Sequence, residues 1–316
     1  MQWAQIKTLF IICFLILNIF LVRQLIDRQE ENLSFIPEAT REDELALNLS
    51  GLDNLSDQTY SAPLIYAKNY QYNEETLEEV DALDNQRAAV INSTHLFSRF
   101  DHPIDVSMDD PQRLREIIDN NILYGESYMF WERDEQANVL IFFQRIEEPV
   151  FYNQHAVLLI QLNRDGEMVQ YVQTRLQQEE DSEEEQDLIL QYDAVSRLYY
   201  NSNELNTGDT IDSIRLGYHN LISLPNGEQV LNPAWNIQVN EDRNYFINAI
   251  EGHGYPRNRD FLQTTVASFT DVIDNASENN FQFIHTEDAE EEARLLNTIK
   301  QSLISVYHTI IEVESE

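Results

Sequence analysis

Apolar and polar positions fall into three regimes along this 316-residue chain. The first is a near-continuous apolar run. Thr8 to Val22, 15 residues, lies uncharged between Lys7 and Arg23. A spanning helix needs about 20 residues. Trp3 to Ile26 covers 24 residues, or about 36 Å at 1.5 Å per residue. Lys7 and Arg23 can snorkel to the interfaces, and Trp3 can sit in a headgroup belt. No Ala-x-Ala-like site follows the run, and Cys13 lies inside it. An uncleaved anchor is therefore expected rather than a signal peptide. Asn18 is the one strongly polar side chain in the run. At helical spacing it shares a stripe with Thr8, Ile11, Phe14, Leu15 and Val22. An amide in hydrocarbon seeks a partner, and an interhelical contact of this kind contributes about 0.6–2 kcal/mol. The stripe is a candidate contact face for another transmembrane helix; a bond from Asn18 to its own backbone is the alternative.

The second regime mixes helical and strand periods. Residues 27–39 are polar and read as a tether. Thr40-Arg-Glu-Asp43 resembles a capping box ahead of Leu45 and Leu49, with Gly51 as a stop, giving a short helix over 41–51. Two β-rich stretches follow, 58–72 and 86–99. Asp109-Asp110-Pro111 reads as an N-cap with proline at the first helical position. Leu114, Ile117 and Ile118 continue that helix. Strands are expected at 126–133, 137–146, 156–163 and 167–176, with Asn163-Arg-Asp-Gly166 as a hairpin turn. Residues 178–187 hold seven acidic side chains and read as an exposed loop. Leu188, Tyr192, Val195 and Tyr199 then mark an amphipathic helix. Strands at 209–223, 229–239 and 244–250 follow, with a turn at Pro225-Asn-Gly227.

The third regime, after Gly254, is helical. One helix is expected over 258–275 and another over 287–313. Leu296, Ile299, Leu303, Val306, Ile310 and Val313 are spaced 3-4-3-4-3, a coiled-coil-like seam open to a partner helix. Leu295, Ile304, Tyr307 and Ile311 widen the stripe, which also suits packing on the chain's own sheet.

These patterns give an α+β fold class: one N-terminal transmembrane helix, then an extracellular region of repeated helix-plus-antiparallel-sheet modules. The expected division is an anchor with a short cytoplasmic head over 1–26, a tether over 27–39 and a first module over 40–177. An acidic loop over 178–187, a second module over 188–254 and a helical extension over 255–316 complete it.

Charge sharpens the placement. The chain has 56 acidic and 20 basic residues, a net of −36. That argues against nucleic acid, whose phosphates need a basic footprint. Residues 29–316 alone hold 55 acidic and 17 basic side chains, a net of −38. A single N-terminal anchor with a short head places the N-terminus in the cytoplasm and this domain outside. Arginine outnumbers lysine 17 to 3. Arginine stays protonated where lysine begins to titrate, so the bias suits an alkaline or salty exterior, though drift towards arginine codons gives the same count.

Catalytic signatures are missing from the sequence. It contains no glycine-rich phosphate loop, no Gly-x-Ser-x-Gly elbow and no EF-hand pattern, and its only cysteine is in the apolar run. None of the seven histidines pairs at a metal-ligand spacing. No cofactor and no enzymatic reaction are expected.

Two segments resemble a known family. Met1-x-Trp3-x-x-Ile6-Lys7-Thr8-Leu9-Phe10-Ile11, leading to Phe14-Leu15-x-Leu17-Asn18-Ile19-Phe20-Leu21, is similar to the N-terminal anchor of YycI (WalI) proteins. Pro233-Ala234-Trp235-Asn236-Ile237, then Tyr245-Phe246-Ile247-Asn248-Ala249-Ile250-Glu251-Gly252, is similar to the end of the YycI ectodomain and, more loosely, to PepSY-type modules. The acidic loop and the tail after about residue 258 depart from it. The resemblance implies a non-enzymatic regulator of the YycG/WalK sensor histidine kinase of Gram-positive bacteria. Such a protein acts with a YycH-like partner through transmembrane helix contacts, and the kinase controls cell-wall metabolism. The carry-over falls on Thr8, Ile11, Phe14, Leu15, Asn18 and Val22. An ectodomain that binds an envelope ligand, with the anchor as a mere tether, is the competing reading.

Overall fold

The computed structural model describes residues 7, 13–15, 17–18, 21, 38–106, 108–179, 185–202, 204–223, 227–256 and 258–314. Most of the expected anchor, all of the tether before residue 38 and positions 180–184 of the acidic loop lie outside the described residues. Among those described, no helix is long and apolar enough to cross a membrane.

Two large, mainly antiparallel sheets organise the chain, beside a two-stranded one in which Ser61–Pro63 pairs with Glu185–Asp187, the end of the expected acidic loop. The larger has seven strands in the spatial order Phe281–Ile284, Gln86–Ile91, His95–Asp105, Glu167–Thr174, Val157–Leu162, Val139–Gln144, Tyr128–Asp134. Both of its faces are buried, so its strands read as unbroken apolar runs such as Val139-Leu-Ile-Phe-Phe143. The two-residue period splits each run between two cores. Leu96, Leu140, Phe142, Leu158 and Ile160 face the core that also holds Val80, Leu114 and Ile118. Those three belong to helices α2 (Glu74–Asp81) and α3 (Pro111–Asn121). Phe97, Ile141, Phe143, Leu159 and Val172 face the second core. There they meet helices α5 (Phe261–Asn275) and α6 (Ala289–Glu314).

The smaller sheet is built on the strand Glu228–Val239. Ile211–Ser223 pairs along one side of it. Ile65–Asn69 and Arg243–Asn248 share the other side, one at each half. Leu176–Gln178 extends the first edge, and Val150–Phe151 adds a short parallel pairing at Tyr218 and His219. Helices α1 (Glu38–Asn48) and α4 (Gln191–Tyr200) bury Leu45, Ala194, Val195 and Leu198 against Trp235, Ile237 and Ile247.

Local chemistry explains the helix starts. Asp110 accepts hydrogen bonds from the Gln112 and Arg113 amides at 3.0 and 3.1 Å, with Pro111 at the first helical position. Asn73 accepts from the Thr76 amide at 2.9 Å and opens α2, a helix in the gap between the β-rich stretches 58–72 and 86–99, where no element is expected. Gly51 sits at φ +79° beside the carbonyl of Ile211, a conformation and a closeness that exclude a side chain. Gly166, at φ +83°, closes the expected hairpin.

The sheets interleave along the sequence. Ile65–Asn69, within the expected first module, and Leu176–Gln178, at its boundary with the expected acidic loop, pair into the smaller sheet. Phe281–Ile284, within the expected helical extension, adds a strand to the edge of the larger one. Backbone groups at a sheet edge seek partners regardless of sequence distance, so these short strands complete a sheet on the far side of a sequence boundary.

A polar cleft between the sheets

The two sheets meet through aromatic rings. Phe246, on the small sheet's strand Arg243–Asn248, lies 5.0 Å from Phe151 and 5.3 Å from Tyr152 between ring centroids. Tyr152 in turn lies 5.2 Å from Phe143 of the large sheet and 5.3 Å from Phe261 at the start of α5. Trp131 closes the group, 5.2 Å from Phe151. Edge-to-face and tilted pairs of this kind each add about 0.5–1.5 kcal/mol beyond area burial.

Cavities open on this aromatic seam. One, of about 380 Å³, runs from Tyr152 through Gln154 and His155 to Asn258 and the first turns of α5. Its neighbour, about 290 Å³, shares Tyr152 and Asn258 but carries charges: Glu132, Asp242, Arg243 and Arg259. Burial holds the His155 imidazole below the usual histidine range, so it is neutral at pH 7. His219 is lowered for the same reason and stacks on Tyr255, with centroids 4.1 Å apart. Burial pushes the Tyr152 hydroxyl well up, with the charge of Glu132 adding to the effect.

Thr265 is the unusual lining residue. It is 1% exposed, and its hydroxyl has no hydrogen-bond partner among the described residues. Helical threonines commonly bond back to the carbonyl four residues earlier. Thr264, Thr270, Thr298 and Thr309 all do so here. Asp260, at the N-cap of the same helix, makes no side-chain cap.

The residues singled out from the sequence fall elsewhere. Thr8, Ile11 and Val22 lie outside the described residues. Phe14 and Leu15 are exposed, at 64% and 56%. The Asn18 amide donates to the Phe14 carbonyl at 2.8 Å, leaving its oxygen and second N–H for other contacts. Ile299, Leu303 and Val306 are buried in the chain's own core against α5 and the large sheet, with Leu296 and Ile310 partly buried beside them. That face of α6 is thus occupied from within the chain. Trp235 is fully buried, and its indole N–H donates to the Ile189 carbonyl at 3.0 Å. Asp209, in a turn read from the sequence, accepts from Arg243 at 2.6 Å and from Asn240 at 2.8 Å. Among the described residues, no three His, Cys, Asp or Glu side chains are grouped as a metal would require. Sequence reasoning missed Tyr152, Asn258 and Thr265, because nothing local to each foretells that a seam between two sheets will bring them together.

Fold and cleft define the class: an antiparallel α+β domain of two sheets joined by an aromatic seam, with a polar cleft along the join. The YycI protein family model matches residues 37–250, which take in all of the small sheet and the large one except its last edge strand. The chain therefore belongs to the YycI family. That membership implies a regulatory role in the YycG/WalK kinase system. No curated protein matches the chain. The helices α5 and α6, and hence Thr265, lie beyond the matched stretch.

Proposed function

We propose that this chain is a membrane-anchored regulator of a YycG/WalK-type sensor histidine kinase, acting with a YycH-like partner to tune control of cell-wall metabolism. The family match over 37–250 carries the reading. The apolar run from Thr8 to Val22 supports it, since a regulator of a membrane kinase needs a way to reach the kinase's own spans. In this reading the N-terminus is cytoplasmic and the domain from about residue 38 is extracellular. Thr8, Ile11, Phe14, Leu15, Asn18 and Val22 form the contact stripe. A regulator shifts a kinase only through different affinities for its active and inactive states. A preference of about 1.4 kcal/mol moves that equilibrium tenfold, within reach of one interhelical amide bond plus packing.

The test is a photoreactive residue at position 18 in cells that express the kinase. The expected result is a crosslink to the kinase, with substitution of Asn18 by leucine altering expression of its target genes. No kinase crosslink at position 18 or at any other stripe position, in cells where the protein is membrane-bound, removes the reading.

A further inference from the structure

The charged cleft holds groups that the protein itself leaves unused. Its four charges are Glu132, Asp242, Arg243 and Arg259. Two of each sign is a balanced set in a chain with 56 acidic and 20 basic residues. Arg243 is engaged: it donates to Asp209 at 2.6 Å, and Asp242 lies 3.9 Å from its Nε. Glu132 and Arg259 are not. Neither makes an ion pair or a side-chain hydrogen bond among the described residues, with each other or with any other group. Both are exposed, so a solute can reach them. The protein around Glu132 pushes its carboxyl up, and Asp134 adds to the effect. A cation beside that carboxylate would offset both influences.

The neutral groups of the cleft give a second, independent observation. Asn244 Oδ1 accepts from the Asn236 amide at 3.1 Å, which leaves the N–H groups of Asn244 to donate. Asn258 is oriented the other way. His219 is neutral, and its Nδ1–H donates to the Asn220 carbonyl at 3.4 Å. Its Nε2 is then an acceptor, and takes the amide N–H of Asn258, also at 3.4 Å. The Asn258 Oδ1 is left to accept. One unused donor and one unused acceptor suit a peptide unit, which presents one C=O and one N–H.

The charges restrict the ligand further. A simple anion at Arg259 meets two carboxylates, and a simple cation at Glu132 meets two guanidinium groups. A ligand with both signs meets an opposite charge at each end. The cavity, of about 290 Å³, is at the small end of the range of ligand clefts.

We infer that this cleft binds a short zwitterionic peptide of about two residues, with its ammonium group at Glu132, its carboxylate at Arg259 and its peptide unit between Asn244 and Asn258. The inference stands on the cleft alone and is independent of the kinase reading.

The experiment is titration calorimetry of the full chain in a nonionic detergent. The probes are alanylalanine, its N-acetyl derivative, which lacks the ammonium group, and its C-terminal amide, which lacks the carboxylate. Alanylalanine should bind saturably, and each blocked form should bind about tenfold more weakly, the equivalent of one hydrogen bond between charged groups. Glu132→Gln should weaken alanylalanine about tenfold and leave the N-acetyl form unchanged. Arg259→Gln should do the same for the parent peptide and leave the amide unchanged. A merely structural effect would weaken all three probes together. The ligand-free melting temperatures of E132Q and R259Q should equal the parent's, because neither side chain has a partner to lose; a fall would show that the charge is already engaged. The inference is overturned if alanylalanine does not bind at about 10 mM, a concentration well above any Kd of functional use. It is overturned equally if the blocked forms bind as well as alanylalanine does, or if E132Q and R259Q lose affinity for all three probes alike or for none.

Discussion

Gly217 tests whether the two sheets are locked together as the rings suggest. It lies mid-strand in Ile211–Ser223, paired with Ala234, and its φ needs no glycine. What forbids a side chain is space. A Cβ built there would lie 2.8 Å from Cδ2 of Phe151, closer still to its Cε2, and 2.8 Å from the carbonyl oxygen of Pro149. Separations below 3.0 Å are essentially never seen for a real Cβ. The ring cannot swing aside, being 1% exposed and held by Trp131, Phe143 and Phe246 at 5.2, 5.9 and 5.0 Å. The Pro149 carbonyl is also fixed, because it accepts the Tyr218 amide at 2.7 Å. Overpacking a closed core costs about 1–3 kcal/mol, and with ring and carbonyl both immobile Gly217→Ala should fall at about 2–3. Phe151→Ala should cost about 3–5 kcal/mol by opening a cavity. In the double variant the ring is gone, so the added methyl meets only the carbonyl and part-fills the void. The pair should then be about 1–2 kcal/mol less damaging than the sum of the singles. Urea unfolding followed by tryptophan fluorescence, to which Trp131 and Trp235 both contribute, reads all four corners of the cycle. A G217A variant within about 0.5 kcal/mol of the parent, or strict additivity with F151A, refutes the steric account of the seam.

Two further outcomes concern stability. His95 is held at a pKa of about 4, first by burial and then by the neighbouring His155. The unfolded side chain titrates near 6.5, so the neutral form stabilises the fold fully above that pH. The contribution is lost as pH falls from 6.5 through about 4, on the order of 3 kcal/mol in all. His95→Phe should flatten the stability profile across that window in pH-stepped urea melts; an unchanged slope would show that His95 is not the group that titrates. Asn73→Ala removes the acceptor that caps α2, at 2.9 Å from both the Thr76 amide and the Thr76 hydroxyl. It should cost about 1 kcal/mol and speed amide exchange over Glu74–Asp81, and unchanged exchange there would count against the cap.

Legibility followed the range of the interaction. Helix α3 was readable because Asp110 and Pro111 carry their meaning within three residues. The hairpin at Asn163–Gly166 was readable for the same reason: Asn163 accepts from the Asp165 and Glu167 amides at 2.9 and 3.0 Å. Helix α2 was hidden because Glu74-Glu-Thr-Leu-Glu-Glu-Val-Asp81 buries only Thr76 and Val80, too short a stripe to show a period. The edge strand Phe281–Ile284 was hidden because four residues between two helices become a strand only when Gln86–Ile91 offers its free edge. In α6 the 3-4 spacing was correct as periodicity, but it could not say which surface the seam would meet. The cleft was the least legible part. Tyr152, Asn258 and Thr265 are about a hundred residues apart at the extreme, and the order of strands brings them together.

The same topology limits how a ligand could be heard at the membrane. From α1 onward the chain is tied into the small sheet. Leu45 is fully buried, the Tyr200 hydroxyl donates to the Arg41 carbonyl at 3.1 Å, and the Gly208 amide donates to that of Asn48 at 2.7 Å. The cleft beside Tyr152 borders Ile211–Ser223 at Asn220, and its charged neighbour borders Arg243–Asn248, both strands of that same sheet. Close-packed elements of this kind move as a unit or not at all. A ligand or partner bound to the domain therefore cannot bias a kinase by loosening α1 alone. In the proposed reading it must change the position or the partners of the whole domain, and residues 27–37 are the only stretch of sequence left to pass that change to the apolar run. A variant with that stretch lengthened by a flexible insert should therefore keep the fold of the parent. Reporter expression from the kinase's target genes should shift towards that of cells lacking the protein, because a longer connection delivers a smaller displacement. Reporter expression equal to the parent's would mean that the domain acts through a partner docked on itself.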